Sequence, residues 1–436
     1  MSTAERTLQG LLVVVMIMQL FLVIAVHSST VSYSNTDQQI LAQSYTDHDF
    51  IAILGNADLL SQAALEDWDG TGTSEDPIII TGYRIVDNRH LFRIVNTDLH
   101  FRFEYNLLDG INGDWCGLYL ANVTNGVVAN NIVQNSAIAL HMVQIYNCSL
   151  VDNDIHDNYV DGIVLELPCT GNNVTGNHIY DNAECGIILD YGCQDNIVAD
   201  NEIHDNGDTG IFLWQFSSDQ IITNNFIIRN HIVRHPVGMT IQGEQNFILN
   251  NTIEESSRTG ILCDGQGNTI RENIITRGRR DGISLYSYAS ENFIVLNSIS
   301  NNTKAGLKIA STSSSNKIRH NDFLGNNETL QVYDDGTNNE IEMNYYSNWN
   351  SPDNDHDNFV DFEYPVSGHA NNTDAFPYLE PNVPYLEPWY TYTEALATPS
   401  SSTSQEAGDA ALLFLLPVTG IVLLIVIGVV FPKMKR

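Results

Sequence analysis

The stretch GIVLELPCTGNNVTGNHIYDNAECGIILDYGCQDNIVADNEIHDNGDTGIFLW, residues 162–214, contains one opening phrase three times. Each copy starts with Gly and alternating apolar residues and continues to an Asn-x-apolar phrase. The opening phrase recurs at spacings of 22 to 28 residues, starting at Gly117, Ala139, Gly162, Gly186, Gly210, Gly238, Gly260, Gly282, Gly306 and Thr329. The second phrase gives Asn130, Asn153, Asn177, Asn201, Asn225, Asn251, Asn273, Asn297, Asn321 and Asn344.

This repeat predicts a solenoid of stacked parallel coils. A unit near 23 residues holds period-2 segments that are too short for helices, with Gly or Asn between them. One coil cannot bury its apolar face alone, so residues such as Ile163 and Leu165 must form inward columns. Stacked asparagines satisfy each other's amides at the corners. We therefore expect an all-β, right-handed parallel β-helix of about ten to twelve coils over residues 78–350. A leucine-rich horseshoe is disfavoured because the units lack its Leu spacing and a helical half.

The segments that flank the repeats predict caps. Residues 50–77 include helical spacing from Leu59 to Leu65, and we expect an N-terminal helical cap there, because solenoid ends must be covered. Residues 351–378 follow the last coil and are interpreted as a C-terminal cap.

The two ends of the chain predict an extracytoplasmic, membrane-anchored protein. Residues 1–29 have the basic and then apolar order of a signal peptide or N-terminal anchor. Residues 410–431 are almost wholly apolar and long enough for a transmembrane helix, and the basic tail 432–436 follows at once. Residues 379–409, rich in Pro, Ser and Thr, are interpreted as a stalk. The predicted location is the cell membrane, with a single C-terminal anchor and the ectodomain outside the cytoplasm.

The charge balance argues against nucleic acid as a partner. The chain has 53 Asp plus Glu and 19 Lys plus Arg, a formal net charge of −34. Such a surface repels phosphate backbones. It is compatible with solubility in salt, attraction of cations, or contact with uncharged or cationic polymers, and it does not choose among these.

Two segments resemble a known group. Residues 69–83 look like the entry strand, and residues 344–378 are similar to the C-terminal signature, of parallel β-helix proteins whose repeats occur in carbohydrate-binding proteins and sugar hydrolases. This group includes the NosD-type copper-site accessory proteins. The resemblance covers about residues 50–378 and implies the fold; activity varies widely within the fold. Of the polygalacturonase motifs only Asn96-Thr97-Asp98 is present, and the Asp-Pro-His-Glu of alginate epimerases is absent.

Alternation along the Gly-apolar strands predicts an outward groove. The second and fourth positions after each Gly face outward. The side chains that we expect to bind substrate there are His141, Phe212, Trp214, Asp264 and Tyr286. Glu166 and Asp190 lie on adjacent coils about 4.8 Å apart, near the separation of glycosidase carboxyl pairs, so they are the catalytic candidates. The alternative is two solvated carboxylates on an acidic face, and binding is favoured over hydrolysis.

Residues 353–361 predict a structural Ca²⁺ site. Asp353, Asp355, Asp357 and Asp361 occupy positions 1, 3, 5 and 9 of a calcium-loop pattern, with Asn358 in place of the usual Gly at position 6. An acidic turn without metal is the alternative.

Two further residue pairs have predicted places in the coils. Cys169 and Cys193 occupy equivalent positions in adjacent coils and predict a disulfide, which an oxidising exterior permits. Copper binding through His156 and His204 is disfavoured, because two coils separate them and Tyr180 intervenes.

The leading functional hypothesis is a cell-surface β-helix that binds polysaccharide or glycan, with processing of that ligand left open. If it is an enzyme, we expect a glycoside hydrolase or polysaccharide lyase. The alternatives are a non-catalytic structural protein or adhesin, and a NosD-like metal-site accessory protein.

Overall fold

The computed structural model describes residues 45–327 and 330–381, which wind into a right-handed parallel β-solenoid. Each coil contributes one strand to each of three parallel sheets, visited in the order sheet 1, sheet 2, sheet 3. Within the described residues the sheets have 13, 12 and 12 strands. This confirms the predicted fold class.

The strands of sheet 1 are Thr46–His48, Tyr83–Asp87, Leu107–Gly110, Ile132–Gln134, Asp154–His156, His178–Tyr180, Glu202–His204, His231–Val233, Thr252–Glu254, Ile274–Thr276, Ser298–Ser300, Asp322–Leu324 and Tyr345–Tyr346. Those of sheet 2 are Ile51–Ile53, Phe92–Thr97, Leu118–Thr124, Leu140–Tyr146, Ile163–Glu166, Ile187–Asp190, Thr209–Trp214, Val237–Ile241, Ile261–Cys263, Ile283–Leu285, Leu307–Ile309 and Val332–Asp334. Those of sheet 3 are Ile78–Thr81, Phe101–Glu104, Gly126–Ala129, Ser149–Val151, Asn173–Thr175, Ile197–Ala199, Phe226–Ile228, Phe247–Leu249, Thr269–Arg271, Phe293–Val295, Lys317–Arg319 and Glu340–Glu342.

The inward columns form one continuous core. In sheet 2, Ile163 pairs in register with Ile187, which pairs with Ile211, and all three are fully buried. The glycine that opens most units suits close packing: a Cβ at Gly186 would lie 2.7 Å from the carbonyl oxygen of Gly210. That separation is too short for a carbon atom, so Gly is kept at this corner in eight of the ten units, and Ala139 and Thr329 are the exceptions in the sequence.

Stacked amides fill all three corners of the coil. The ladder between sheets 3 and 1 contains Asn106, Asn131, Asn153, Asn177, Asn201, Asn230, Asn251, Asn273, Asn297, Asn321 and Asn344. A second ladder, between sheets 2 and 3, contains Asn172, Asn196, Asn225, Asn246, Asn268, Asn292, Asn316 and Asn339. A third, between sheets 1 and 2, includes Asn158, Asn182 and Asn206.

Two of the predicted ladder positions were wrong. Asn131, not Asn130, lies in the first ladder, and Asn225 belongs to the second while Asn230 takes its place. For Asn225 the reason is that two different corners use the same Asn-x-apolar phrase, whereas Asn130 is followed directly by a second asparagine, which takes the ladder position. The left-handed residue is the one before the ladder position, such as Asp200 at φ 56° before Asn201.

The N-terminal coil contains the predicted helix. It spans Asn56–Glu66, buries Leu59 and Ala63 against the core, and ends at Asp67 in the left-handed conformation. Strands Thr46–His48 and Ile51–Ile53 precede it, so the solenoid begins before residue 78. The helix is therefore an insertion between sheets 2 and 3 of the first coil.

The C-terminal end is closed by a short antiparallel pair, Tyr364–Pro365 with Thr373–Asp374. Asp374 is buried and ends the first amide ladder, because its Oδ2 accepts from both the backbone and the side chain of Asn344. Burial raises the pKa of the Asp374 carboxyl. The Tyr364 ring stacks on Tyr346 with centroids 3.7 Å apart and covers the last core layer.

The predicted signal segment 1–29, the stalk, the transmembrane helix 410–431 and the basic tail lie outside the described residues. Within residues 45–327 and 330–381, no helix is long and apolar enough to cross a bilayer.

Candidate functional site

The outward face of sheet 2 brings five of the predicted site residues together. In the first outward column, His141 pairs in register with Val164, and that column continues through Ile188 to Phe212. The second outward column contains Glu166, and Asp190 pairs with Trp214. The alternation argument is therefore correct for His141, Phe212, Trp214, Glu166 and Asp190.

Glu166 is held by a histidine from the preceding coil. Its Oε2 lies 2.7 Å from His141 Nε2, and its side chain is about one-third exposed. The His141 ring packs edge-on against Tyr119, with centroids 5.4 Å apart. The guanidinium of Arg93 lies 5.6 Å from the centre of the Tyr119 ring. The contact between His141 and Glu166 fixes the orientation of the Glu166 carboxylate. Tyr119 and Arg93 continue the outward column from His141.

The sequence prediction missed Arg93 and Tyr119, although both occupy the same outward column as His141. Burial raises the pKa of the Tyr119 hydroxyl. The Nε of Arg93 is buried and has no hydrogen-bond partner among the described residues. Arg93 lies one coil before the repeat that opens at Gly117, where the Gly that marks the register is absent, whereas Tyr119 is the second residue after Gly117 and fits the outward pattern.

Asp190 is the more buried member of the carboxyl pair. Only 6% of the residue is exposed, and its Oδ1 accepts a hydrogen bond from the backbone N–H of Tyr191. Burial, with a smaller contribution from the negative charge of Glu166, raises the pKa of Asp190 to about 6. The two carboxyls of adjacent coils thus have different environments, as an acid and base pair requires.

An apolar patch lies beside this pair on the outside of the solenoid. Val164, Cys185 and Ile188 are buried there, and Phe212 packs against them. The Trp214 ring stacks on Phe212 with centroids 5.7 Å apart and planes 18° from parallel, and Trp214 is 40% exposed. This aromatic stack presents a flat apolar surface to solvent.

A second aromatic pair that the prediction missed consists of the half-buried Tyr191 and the exposed Phe216. Phe216 is 70% exposed, and its ring lies 6.2 Å from that of Tyr191. Phe216 belongs to the insertion that gives the unit from Gly210 its 28-residue length. The irregular spacing of that unit is the feature that indicates an added loop.

Asp264 and Tyr286 lie on the same face but farther along the axis. Asp264 is three coils beyond Asp190, a distance of about 14 Å. Its Oδ1 is buried without a hydrogen-bond partner among the described residues, and burial raises its pKa to about 6. Tyr286, in the next coil, is 57% exposed. These two residues belong to a second stretch of the face and do not contact the carboxyl pair.

The acidic loop 353–361 brings three of its four predicted ligands together. One oxygen each of Asp353, Asp355 and Asp361 lies within 4.8 Å of the others. Asp357 is outside this group, and its Oδ1 accepts from the backbone of Phe359. The negative charge of Asp357 is the largest cause that raises the pKa of Asp355.

The backbone of this loop is wrapped around Asp353, whose two oxygens accept from the N–H groups of His356 and Asn358. Asn358 has φ 72°, as expected where a glycine usually stands.

The predicted Cys169–Cys193 disulfide stays a prediction, and both residues have free thiols in this structure. All six cysteines are free and buried. The corner residues that follow the two cysteines pair in register, Thr170 with Gln194, which confirms their equivalent places on adjacent coils. Burial and the neighbouring Cys169 sulfur raise the pKa of the Cys193 thiol well above its usual range.

Comparison with known proteins agrees with this architecture. The model of the right-handed beta helix region matches residues 92–241, and the model of the periplasmic copper-binding protein (NosD) matches residues 227–382. A comparison with curated protein sequences finds no match. The chain is a right-handed parallel β-helix repeat protein. Its C-terminal part, from residue 227, is similar to NosD.

Solved structures with similar backbones share little sequence with the chain. The A-module of the Azotobacter vinelandii mannuronan C-5 epimerase AlgE4 has a TM-score of 0.51 and 16% identity, over 68% of this chain and 91% of the module. The tailspike protein of E. coli bacteriophage HK620, in complex with pentasaccharide, has a TM-score of 0.47 and 11% identity, over 69% and 63%. The receptor-binding protein of bacteriophage Det7 has a TM-score of 0.49 and 9% identity, over 73% of each chain.

Proposed function

We propose that the outward face of sheet 2 binds a polysaccharide chain that lies along the solenoid axis. The observation that carries this proposal is the exposed stack of Phe212 and Trp214 directly beside the carboxyl pair Glu166 and Asp190. Sugar rings have apolar faces and hydroxyl edges, so a flat aromatic surface next to fixed hydrogen-bonding groups matches both. The A-module of the mannuronan epimerase, whose backbone is similar, is named for a polysaccharide substrate.

An open face suits a polymer better than a small molecule. Two open concavities, of about 460 and 450 Å³, lie elsewhere: one is lined by Trp349 and Phe362, the other by Asp47 and Arg84. Along sheet 2, equivalent positions recur about every 4.8 Å, which provides a row of contacts rather than one enclosed pocket.

The charge of the protein favours a neutral polysaccharide. A net charge of −34 repels polyanions over the Debye length of about 8 Å at physiological salt. The column that contains His141 has two permanently charged cations among the described residues: Arg93, which packs on Tyr119, and the exposed Lys308 towards the C-terminal end. We therefore expect neutral glucans or mannans to bind in preference to uronic acid polymers.

Processing of the bound chain is the second part of the proposal. Asp190, with its pKa raised to about 6, would donate a proton to a leaving oxygen, and Glu166, oriented by His141, would act as the carboxylate base or nucleophile. The chemistry is glycoside hydrolysis. Without turnover, the same groups serve as hydrogen-bonding partners of sugar hydroxyls.

We also propose that the protein works outside the cytoplasm and that the loop 353–361 binds Ca²⁺. The similarity of residues 227–382 to a periplasmic family supports the location, and a single C-terminal membrane anchor remains part of this proposal. The convergence of Asp353, Asp355 and Asp361 supports the metal site, because hard cations take several carboxylate oxygens. A cation there would fix the segment that closes the solenoid.

Binding is tested with the full chain and a panel of neutral and acidic polysaccharides. The Trp214→Ala protein should lose about ten- to a hundred-fold in affinity for the best ligand, because a stacked aromatic anchor is removed. Phe362→Ala is the matched control: it removes an aromatic side chain that is 63% exposed in the C-terminal segment. Equal affinity of the Trp214→Ala and unchanged proteins would place the binding site elsewhere.

Processing is tested separately by measuring new reducing ends on the ligand that binds best. Asp190→Asn and Glu166→Gln should each abolish product formation while binding persists. If the unchanged protein binds the polysaccharide but forms no product, it is a polysaccharide-binding protein. That result would exclude a catalytic role for Glu166 and Asp190.

A further inference from the structure

A cluster on a different face, sheet 1, has the geometry of a transition-metal site. Ile179 and Ile203 of this sheet are fully buried, so the residues on either side of them point outward. His178 pairs in register with Glu202, and Tyr180 pairs with His204. Nε2 of His178 lies 2.9 Å from Nε2 of His204, and a carboxylate oxygen of Glu202 lies within 4.8 Å of one ring nitrogen of each histidine.

Hydrogen bonding around the two imidazoles is in conflict. Nδ1 of His204 lies 2.9 Å from Asp205 Oδ2, so Nδ1 carries the proton and Nε2 carries a lone pair. On the other ring, Nδ1 of His178 lies 3.4 Å from Asp154 Oδ1. That oxygen is buried and accepts no hydrogen bond among the described residues.

Neither neutral form of His178 resolves this conflict. With its proton on Nε2, His178 donates to His204, but its Nδ1 lone pair then faces the unpartnered oxygen of Asp154. With its proton on Nδ1, the contact with Asp154 is favourable, but two Nε2 lone pairs face each other at 2.9 Å. A cation bound to both Nε2 atoms removes both conflicts, because each Nδ1–H then points to a carboxylate.

We propose that His178, His204 and Glu202 bind a divalent cation of the borderline class, for which Zn²⁺ is the probe. Two imidazoles and one carboxylate form a common three-ligand zinc set. Two nitrogens 2.9 Å apart suit ligands about 2.0–2.1 Å from one metal ion at roughly a right angle. Further positions stay open to water, because this face is partly exposed.

Surrounding residues hold the ligands in place before metal arrives. Asp205 is fixed by Arg234, whose Nε donates to it at 2.7 Å, and Asp205 in turn orients His204. The Tyr180 ring stacks on His204 with centroids 5.1 Å apart, and it lies 4.3 Å from that of His178. Carboxylates that accept from the far nitrogen of a ligand histidine are typical of metal sites.

The sequence disfavours copper at His156 and His204, because two coils separate these residues. That separation is real, since Tyr180 stacks between the two rings. The second ligand comes instead from the other outward column: His178 is in the coil next to His204 and two residues before Tyr180. A sequence repeat aligned on one column does not reveal contacts between columns.

The experiment is titration of the chelator-stripped full chain with Zn²⁺ by calorimetry, in excess Ca²⁺ so that the acidic loop 353–361 does not compete. One saturable Zn²⁺ per chain is expected. His178→Ala and His204→Ala should remove that saturable event, and Glu202→Gln should weaken it. Asp205→Asn keeps all three ligands and should weaken binding about ten- to a hundred-fold.

The matched control is His369→Ala, which removes a histidine paired with Asp335 at 2.7 Å in the C-terminal segment. It should bind Zn²⁺ like the unchanged protein, and circular dichroism should show the same strand content for every variant. Absence of a saturable event in the unchanged protein would overturn the proposal. Retention of the event in both histidine variants would also overturn it.

Discussion

The Asp190→Asn substitution should stabilise the protein at alkaline pH while removing the proposed proton donor. Asp190 is 6% exposed, and its pKa is raised from the ordinary 3.8 to about 6. Between these two values the folded state binds more protons than the unfolded state, so stability falls as pH rises through this interval. The shift of about two units corresponds to about 3 kcal/mol of destabilisation at pH 8 and about half of that at pH 5.

Asparagine removes this penalty and keeps an oxygen that can accept from Tyr191 N–H. The pH-dependent part of the gain should therefore be about 1.5 kcal/mol larger at pH 8 than at pH 5. The assay is urea denaturation of both proteins at the two pH values. Lower pH is avoided, because an acidic chain approaches zero net charge there and associates.

The control for this experiment is Asp181→Asn, an exposed aspartate on another corner, which should change stability by less than about 0.5 kcal/mol. A gain that is the same at pH 8 and pH 5 would refute the burial argument. If Asp190→Asn lowers stability at pH 8, the Asp190 carboxylate is favourably paired. That result would also contradict its proposed role as the proton donor.

Three further outcomes are expected. Asn201→Ala should lower the free energy of unfolding in urea by about 3 to 6 kcal/mol, because its side chain makes four buried hydrogen bonds in the first ladder. The control Asn88→Ala, at an exposed asparagine, should lower it by less than about 0.5 kcal/mol. Equal effects of the two substitutions would contradict the ladder argument. Asp355→Asn should abolish a rise in melting temperature caused by Ca²⁺; no such rise in the unchanged protein would exclude the calcium site. Protein secreted into an oxidising medium should contain the Cys169–Cys193 bond by non-reducing peptide mapping, whereas two free thiols would exclude it.

The alternation of residues along each strand explains which parts of the site could be predicted from the sequence. Strand alternation placed Glu166, Asp190 and Trp214 on one outward face, because a parallel stack turns a fixed offset into a straight row. The alternation does not show how deeply an outward-facing side chain is buried. Asp190 is nearly buried, whereas Glu166 is about one-third exposed, because neighbouring side chains cover one and not the other.

By itself, the sequence determined the fold class, the core columns and most of the first amide ladder, because each depends on a pattern that recurs within one coil. Only the tertiary structure decided which corner Asn225 occupies, since two corners use the same phrase. It also decided the meeting of His178 with His204, and of His141 with Glu166. Those contacts join neighbouring coils across two outward columns, and their geometry depends on side-chain rotamers and on the width of the sheet, which no linear spacing encodes.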